Sequence, residues 1–231
     1  TVLKQIAGEK SARLFKFKTD FSVRKNKKGG FSYFGIDHTW RNLCTGLHGS
    51  HQTDNAALAL AVCEILIKGT GKNNNQNITL ESIRKGLENN IWPGRLEIVS
   101  TSPFILIDGA HNIAAVKNLS KFLSENIKDR NLTLVTGILD DKSYKTMLRH
   151  LLPHCSKVIL TRPQIDRSLA PEKLYPVAKS MVSDVRIIPD VPEAVKYAVE
   201  TASAEDAVCI AGSLYLVGET MEAIERGWVK I

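Results

Sequence analysis

The spacing of apolar residues changes near residue 92, and this change divides the chain into two parts. Beyond Arg95, short apolar runs alternate with segments of helical periodicity. The predicted strands are residues 96–99, 104–107, 132–136, 157–160, 185–188 and 207–211. The predicted helices are residues 113–127, 144–152, 171–181, 191–202 and 214–226. This order predicts an α/β domain in which a mainly parallel sheet carries helices on both faces.

The first 91 residues have a mixed pattern. β-like runs occur at residues 14–17, 31–36 and 39–47, and helical spacing predicts helices over residues 51–68 and 80–89. Thr79 is the expected N-cap of the second helix, with Ser82 in the place of the glutamate of a full capping box. The short linker Trp92-Pro93-Gly94 sets the predicted boundary.

Composition narrows the class of protein. The 231 residues are 43% hydrophobic and 24% charged, which is typical of a globular protein. No apolar run reaches about 18 residues, so no membrane span is expected. No signal peptide is recognised, and the cysteines are scattered without a CxxC pair, which favours reduced thiols in a cytoplasmic protein.

The net charge of +7 does not indicate a nucleic-acid partner. The one dense basic run in the sequence, residues 24–30, is predicted to be a solvated hairpin turn. The remaining positive charge favours anionic small-molecule substrates.

Two polar clusters flank the apolar run at residues 104–107. They are Pro-Gly-Arg-Leu-Glu at residues 93–97 and Asp-Gly-Ala-His-Asn at residues 108–112. Ligands of open α/β sheets bind at the carboxyl ends of strands, where helix N-termini receive anions. The second cluster therefore marks a candidate site.

Three further motifs follow the same order along the chain. They are His-Gln-Thr-Asp-Asn-Ala-Ala from residue 51, Gly-Ile-Leu-Asp-Asp-Lys from residue 137, and Gly-Ser-Leu-Tyr-Leu-Val-Gly from residue 212. With the two clusters, they resemble the folylpolyglutamate synthase/dihydrofolate synthase ligases, relatives of the Mur ligases, over roughly residues 40–220. One departure is Ile113, where the family usually has proline.

The resemblance implies a Rossmann-like C-terminal domain at residues 92–231, preceded at residues 1–91 by the C-terminal remnant of a P-loop-type ATPase domain. It implies a monomeric enzyme that uses ATP, a folate or dihydropteroate, and L-glutamate. No P-loop is found, because the one candidate, Gly-Thr-Gly-Lys at residues 69–72, fails the GxxxxGK[ST] pattern. The chain is therefore expected to be a fragment, with the Mg²⁺ ligands upstream of it.

The resemblance also implies roles for single residues. Arg95 is expected to reach the triphosphate of ATP, and the alternative is a surface ion pair with Glu97. Asp108 is expected to bind a ribose or a neighbouring cation, and otherwise to cap the following helix, although Asn112 is nearer. His111 is expected to contact phosphate or orient the reacting groups, and otherwise to be a structural histidine.

Asn55 is expected to contact ATP, although an exposed asparagine early in a helix is otherwise unremarkable. Lys142 and Ser213 are candidates for the carboxylates of glutamate, because each follows a strand and opens a helical segment. Their alternatives are a solvated lysine and an N-cap. No metal site is predicted, since the nearby His48 and His51 lack a third ligand.

The leading hypothesis is an ATP-dependent ligase that adds glutamate to folates, with dihydrofolate synthase activity left open. Another Mur-type ligase and a non-catalytic nucleotide-binding Rossmann module are the alternatives. An oxidoreductase is disfavoured, because no GxGxxG follows any strand.

Overall fold

A computed structural model describes residues 2–26, 29–69 and 78–231 of the protein. The chain forms two compact units, Thr1–Ile91 and Trp92–Ile231. The segment at residues 69–72, considered above as a phosphate loop, lies outside the described residues except for its first glycine. None of the helices in the described ranges is long and apolar enough to cross a membrane.

The first unit contains a small antiparallel sheet with helices. The elements are α1 (Val2–Glu9), β1 (Ser22–Lys25), β2 (Phe31–Phe34), β3 (Thr39–Leu43), α2 (Gln52–Gly69) and α3 (Leu80–Glu88). The sheet order is β1-β2-β3, and its core includes Phe31, Tyr33 and Leu43, which are fully buried. The predicted helices at residues 51–68 and 80–89 are confirmed as α2 and α3. At the start of α3, Ser82 and Thr79 exchange hydrogen bonds, so serine completes the capping box.

One sequence prediction in this unit is wrong, and one helix was missed. Residues 14–17 form no strand; the strand is β1, which pairs with β2 across the basic hairpin turn. Residues 22–25 form the strand because they pair with β2. This pairing cannot be recognised from the pattern of these four residues alone. Helix α1 was also not predicted. The hairpin itself is as expected, apart from residues 27 and 28, which are outside the described ranges.

A buried carboxylate fixes the connection between β2 and β3. Glu64 of α2 is 1% exposed, and its oxygens accept hydrogen bonds from the Tyr33 hydroxyl at 2.7 Å and from the Ile36 backbone N–H at 2.7 Å. The N–H groups of Asp37 and His38 also donate to it. Burial by itself raises the pKa of Glu64, but the hydrogen bonds from Tyr33 and these backbone groups outweigh burial and lower the pKa below its ordinary value.

The second unit alternates strands and helices. Its elements are β4 (Glu97–Thr101), β5 (Phe104–Asp108), α4 (Ile113–Asn126), β6 (Leu132–Thr136), α5 (Tyr144–Leu151), β7 (Lys157–Leu160), α6 (Pro171–Lys179), β8 (Asp184–Ile187), α7 (Val191–Glu200), β9 (Ala207–Ala211) and α8 (Leu214–Glu225). Every predicted strand and helix beyond residue 95 is confirmed, with ends shifted by a few residues at most.

The six strands lie in the order β4-β5-β9-β6-β7-β8. All neighbouring pairs are parallel except β4 and β5, which are antiparallel. Alternate residues of the central strands enter two separate cores. One core packs against α4, α5 and α6, and the other against α7 and α8. The predicted mainly parallel α/β sheet with helices on both faces is therefore confirmed.

Candidate functional site

The carboxyl ends of β5, β9 and β6 lie side by side at one edge of the sheet. Asp108, the last residue of β5, pairs with Ala211, the last residue of β9. Thr136 ends β6, and Ser213 follows β9 directly before α8. The motifs that begin at residues 108, 137 and 212 therefore meet at this edge, as parallel strands require.

The Pro-Gly turn is tied to the Asp108 turn by two hydrogen bonds, and a third lies within the Asp108 turn. Asp108 accepts one from the Leu96 N–H at 2.8 Å and one from the Ala110 N–H at 2.9 Å. The Gly109 N–H donates to the Gly94 carbonyl at 2.7 Å. Asp108 is 7% exposed, and the cap of α4 is Asn112, whose Oδ1 accepts from the Ala115 N–H. The carboxylate of Asp108 thus holds the backbone on both sides of the site and does not cap α4.

Glycines make this close approach possible. Gly94 has a φ of +67°, and a Cβ there would lie 2.6 Å from a methyl group of Val217 in α8. A Cβ at Gly109 would lie 2.5 Å from a methyl group of Leu214. Both distances are shorter than real Cβ contacts, and the positive φ of Gly94 also disfavours a side chain there, so glycine at these positions allows α8, the Pro-Gly turn and the Asp108 turn to pack closely.

Arg95 is carried by this turn. Its backbone N–H donates to the Trp92 carbonyl at 3.2 Å, and its side chain is half-buried. The expected alternative, an ion pair with Glu97, is not present: Glu97 instead accepts a hydrogen bond from the Gly94 N–H at 2.7 Å. No hydrogen bond or ion pair joins the Arg95 guanidinium to the part of the chain that the structure describes, so its five donors are available to an anion.

His111 is held by its own turn. Its Nδ1 lies 2.8 Å from the Gly109 carbonyl oxygen, which can only accept a hydrogen bond, so Nδ1 carries the proton. The other ring nitrogen, Nε2, lies at a longer 3.5 Å from the Asn112 side-chain nitrogen. In the neutral ring Nε2 is therefore the acceptor, and the imidazole has a fixed orientation at the sheet edge.

Ser213 is the N-cap of α8, which is the alternative to glutamate binding given above. Its Oγ accepts from the Leu216 N–H at 3.0 Å, and the residue is completely buried. The hydroxyl thus orders the first turn of α8, which begins at the same edge as Asp108. Helix N-termini attract anions through their free N–H groups.

Lys142 lies in the loop after β6. Its ammonium donates to the Asp141 carboxylate at 2.6 Å, and its side chain remains 28% exposed. The hydrogen bond from Lys142 lowers the pKa of Asp141, with a further contribution from Arg167 at 3.9 Å. Lys142 is therefore neither buried nor simply solvated, and a carboxylate ligand has to compete with Asp141 for it.

Asn55 belongs to the first unit, on the first turn of α2. It is exposed, and its amide donates to the Gln52 side-chain oxygen at 2.9 Å. This contact fixes the direction of the Asn55 side chain. Within the described residues, no three His, Cys, Asp or Glu side chains cluster as metal ligands.

Thr136 was not predicted as a residue of this edge. It is fully buried, and its Oγ1 has no hydrogen-bond partner among the described residues. A Cβ at Gly212, where φ is +136°, would lie 2.5 Å from this oxygen. The signal was present in the sequence, since Thr136 is the polar end of an apolar strand directly before glycine, as Asp108 is.

Replacing Thr136 with valine is expected to raise the free energy of unfolding by about 1 kcal/mol, because an unsatisfied buried hydroxyl becomes a methyl group of the same shape. Chemical denaturation of the chain measures this. The matched control is Thr161→Val, directly after β7: Thr161 is equally buried, but its hydroxyl donates to the Pro189 carbonyl at 2.9 Å. That substitution is expected to destabilise by about 1–2 kcal/mol. Equal losses for both variants would contradict the assignment of Thr136 as unsatisfied.

Comparison with known proteins places this unit in a family. Residues 94–214, just over half of the 231-residue chain, match the profile of the Mur ligase glutamate ligase domain. The chain belongs to the Mur ligase family. The matched region contains Arg95, Asp108, His111, Lys142 and Ser213, whereas Asn55 lies before it.

Two curated relatives of this Mur ligase chain are folate enzymes. It is 32% identical over 227 residues to the folylpolyglutamate synthase of Lacticaseibacillus casei, covering 92% of this chain and 48% of that protein. It is 28% identical over 195 residues to the dihydrofolate synthase/folylpolyglutamate synthase of Bacillus subtilis, covering 84% and 44% respectively. The chain thus spans about half the length of the curated relatives it matches.

A solved structure has the same fold. The folylpolyglutamate synthase of Mycobacterium tuberculosis, complexed with ADP and AMPPCP, superposes with a TM-score of 0.84 at 25% identity. The match covers 100% of this chain and 52% of that one. The fold of the Mur ligase chain is therefore that of the matching half of a folylpolyglutamate synthase.

Proposed function

We propose that the chain is part of an ATP-dependent ligase that adds L-glutamate to folates, with dihydropteroate as a second acceptor. The observation that carries this proposal is the joined pair of turns at the sheet edge: Asp108 and Gly109 hold the Pro-Gly turn, so that Arg95 and His111 come from one rigid unit. The family match and the folate-enzyme relatives support it. In this proposal residues 1–91 belong to the central ATPase domain and residues 92–231 to the C-terminal glutamate-ligase domain.

The proposed reaction passes through an acyl phosphate. A carboxylate oxygen of the folate attacks the γ-phosphorus of ATP, and ADP leaves. The amine of glutamate then attacks the acyl carbon, phosphate leaves, and the amine loses a proton. Both steps concentrate negative charge on phosphoryl oxygens, so catalysis depends on positioned cations and hydrogen-bond donors.

Each candidate residue has a proposed part in this scheme. The Arg95 guanidinium binds the transferred phosphoryl group through its planar donors. His111, with its ring fixed by Gly109, orients a phosphate oxygen or the reacting groups. Asp108 contributes by holding the turn that carries Arg95, and it is also proposed to accept a hydrogen bond from a ribose hydroxyl. Asn55 is proposed to contact ATP from the first unit.

Glutamate is proposed to bind beside these groups. Lys142 supplies a positive charge for one carboxylate, and Ser213 acts by fixing the first turn of α8, because its own hydroxyl is completely buried. The N–H groups of that turn suit a second carboxylate.

Lys142→Ala is expected to raise the KM for glutamate about tenfold in the complete enzyme, because a hydrogen bond to a charged group is lost. The KM for ATP is expected to change little. Steady-state kinetics with each substrate varied in turn measures this, and Lys145→Ala, an exposed lysine on α5, is the control. A rise confined to the KM for ATP would assign Lys142 to the nucleotide instead.

The isolated chain is expected to release no ADP above background when supplied with ATP, Mg²⁺, folate and glutamate, because it has no recognisable P-loop. The complete polypeptide is expected to convert the same mixture to ADP, phosphate and a glutamylated folate. Mass spectrometry of the folate product distinguishes this from other Mur-type ligases. Turnover by the isolated chain would overturn the domain assignment, and a complete polypeptide that never glutamylates folate would overturn the function.

A further inference from the structure

Two loops lie side by side at the carboxyl edge of the sheet. The lysine loop, residues 137–143, follows β6 and carries Lys142, and the outer loop, residues 161–170, follows β7. An antiparallel bridge joins Leu139 of the lysine loop to Ser168 of the outer loop. Backbone hydrogen bonds of 2.9 and 3.0 Å flank this bridge. The position of the lysine loop therefore depends on the outer loop.

The outer loop also reaches the carboxylate that binds Lys142. Arg167 Nη1 lies 3.9 Å from an oxygen of Asp141, and the same oxygen accepts a hydrogen bond from the Lys142 ammonium at 2.6 Å. The Arg167 carbonyl accepts from the Asp140 N–H at 2.9 Å. Both the backbone and the side chain of Arg167 thus contact the segment directly before Lys142. A shift of the outer loop would move Asp141, and with it the ammonium.

Close packing places the lysine loop between the outer loop and the start of α8. Pro163 of the outer loop is buried, and a Cβ at Gly137 would lie 2.5 Å from its ring. A Cβ at Gly212, directly before the cap of α8, would lie 2.8 Å from the Gly137 carbonyl oxygen. The first residue of the lysine loop is therefore in contact with both neighbours, and a movement of either one is transmitted to it.

Glu219, in the second turn of α8, ties the outer loop to this helix. Its carboxylate accepts a hydrogen bond from the Gln164 N–H at 2.6 Å. Burial raises the pKa of Glu219, as do the nearby carboxylates of Asp190 and Glu222, and the hydrogen bond from Gln164 opposes these effects. A half-buried carboxylate beside two others is costly by itself, and such perturbed groups are concentrated at functional sites.

We propose that Glu219 is a positioning residue for glutamate: it holds the outer loop on α8, and the outer loop holds Lys142. The same helix begins with the turn that suits the second carboxylate of glutamate. Glu219 thereby fixes the Lys142 ammonium relative to the start of α8, and a dicarboxylic amino acid needs both groups at a set separation. The inference rests on the proposed function, in which Lys142 and the start of α8 bind glutamate.

Glu219→Ala in the complete enzyme is expected to raise the KM for glutamate about threefold to tenfold, at most the loss expected for Lys142→Ala itself. The KM for ATP and kcat should change by less than about twofold. Steady-state kinetics with each substrate varied in turn measures these values. The matched control is Glu222→Ala, which removes a carboxylate from the same helix, where it pairs with Arg226. It should leave all three parameters unchanged.

Two further variants test the route of this effect. In Glu219→Gln the amide oxygen can accept the same hydrogen bond, so the KM for glutamate should stay within about twofold of the parent value. If Glu219 acts through Lys142, adding Glu219→Ala to Lys142→Ala should raise that KM by less than about twofold more. A general loss of folded enzyme would instead lower kcat and would not be restored selectively by glutamine.

Hydrogen exchange in the present chain tests the contact itself, without any substrate. The N–H groups of Asp140 and Leu169 donate hydrogen bonds between the two loops. Glu219→Ala should speed their exchange by at least about fivefold, because the outer loop is no longer tied to α8. Glu219→Gln and Glu222→Ala should leave this exchange unchanged. NMR of the four proteins measures it.

Unchanged exchange in Glu219→Ala would overturn the proposal. Faster exchange with an unaffected KM for glutamate would also overturn it, as would an equal rise in the KM for ATP. Equal defects in Glu219→Ala and Glu219→Gln would contradict the assigned hydrogen bond. A complete protein that glutamylates no folate would overturn the proposed function, whereas the exchange measurement would still decide whether Glu219 holds the two loops.

Discussion

Arg95→Ala in the complete enzyme is expected to lower kcat/KM by about 100-fold or more, as for other cations removed from a developing phosphoryl charge. The structure supports this expectation in two ways. The Arg95 guanidinium has no partner within the described ranges, while the backbone that carries it is fixed by the Asp108 carboxylate at 2.8 Å. The backbone that carries Arg95 is therefore fixed at the sheet edge, while the donors of its side chain are uncommitted within the described residues.

Stability separates this role from a structural one. Because the Arg95 side chain makes no described hydrogen bond or ion pair, its loss should leave the unfolding midpoint nearly unchanged. Arg95→Lys should restore only part of the activity, since an ammonium lacks the planar fork of the guanidinium. Arg149→Ala, an exposed arginine on α5, is the control for general loss of positive charge. An unchanged kcat/KM for Arg95→Ala would remove this residue from the site.

Glu64→Ala is expected to destabilise the first unit by about 3–5 kcal/mol, the range for breaking a buried charged network. The substitution leaves the Tyr33 hydroxyl and the N–H groups of Ile36, Asp37 and His38 without their acceptor. Gly35 adds to the constraint: a Cβ there would meet the carboxylate, so this loop is shaped around Glu64. Denaturant unfolding followed by Trp40 fluorescence measures the loss, because Trp40 is buried and stacks on Tyr33 at 5.4 Å.

Two variants calibrate this result. Tyr33→Phe removes a single donor and should cost about 1–3 kcal/mol, the range for a hydrogen bond to a charged group. Glu81→Ala removes an exposed glutamate that pairs with Lys85 on α3, and should change stability by less than about 0.5 kcal/mol. A loss below about 1 kcal/mol for Glu64→Ala would contradict the central role of its carboxylate.

The lowered pKa of Glu64 predicts that the stability of the fold depends on pH. The pKa of Glu64 is lower in the folded protein than in the unfolded chain, so ionised Glu64 stabilises the fold above the ordinary glutamate pKa of about 4.3. This contribution is lost as the pH falls below that value and through the lowered folded pKa. Glu64→Gln should lack this component, so its stability should vary less than that of the parent protein over the acidic range.

Local sequence determined the second unit almost completely. Its strands are short apolar runs and its helices have clear amphipathic spacing, so each element is specified by its own residues. Asn112 is recognisable as the cap of α4, and the parallel order brings the carboxyl ends of β5, β9 and β6 together by topology alone. This is why the sheet edge with Asp108, Lys142 and Ser213 could be predicted.

Only the tertiary structure decided the strand pairings and contacts that join residues far apart in the chain. The sequence did not reveal that β4 runs antiparallel to β5, or that β1 rather than residues 14–17 pairs with β2. Asp108 is a second example. Its place at the end of a strand suggested a ligand contact or a helix cap, but in the structure its oxygens accept hydrogen bonds from the N–H groups of Leu96 and Ala110.

Glu64 and Thr136 are the clearest cases. Glu64 lies in the middle of an apolar helix, where its sequence neighbours give no sign of the Tyr33 hydroxyl that it meets, 31 residues away. Thr136 ends a strand in a way that the sequence shows, but only the tertiary structure shows that its buried hydroxyl, beside Gly212, has no partner among the described residues. Sequence by itself determines periodicity and caps, because these depend on neighbouring residues. The partner of a buried polar group depends on which distant segments the fold brings within about 3 Å, so only the tertiary structure decides it.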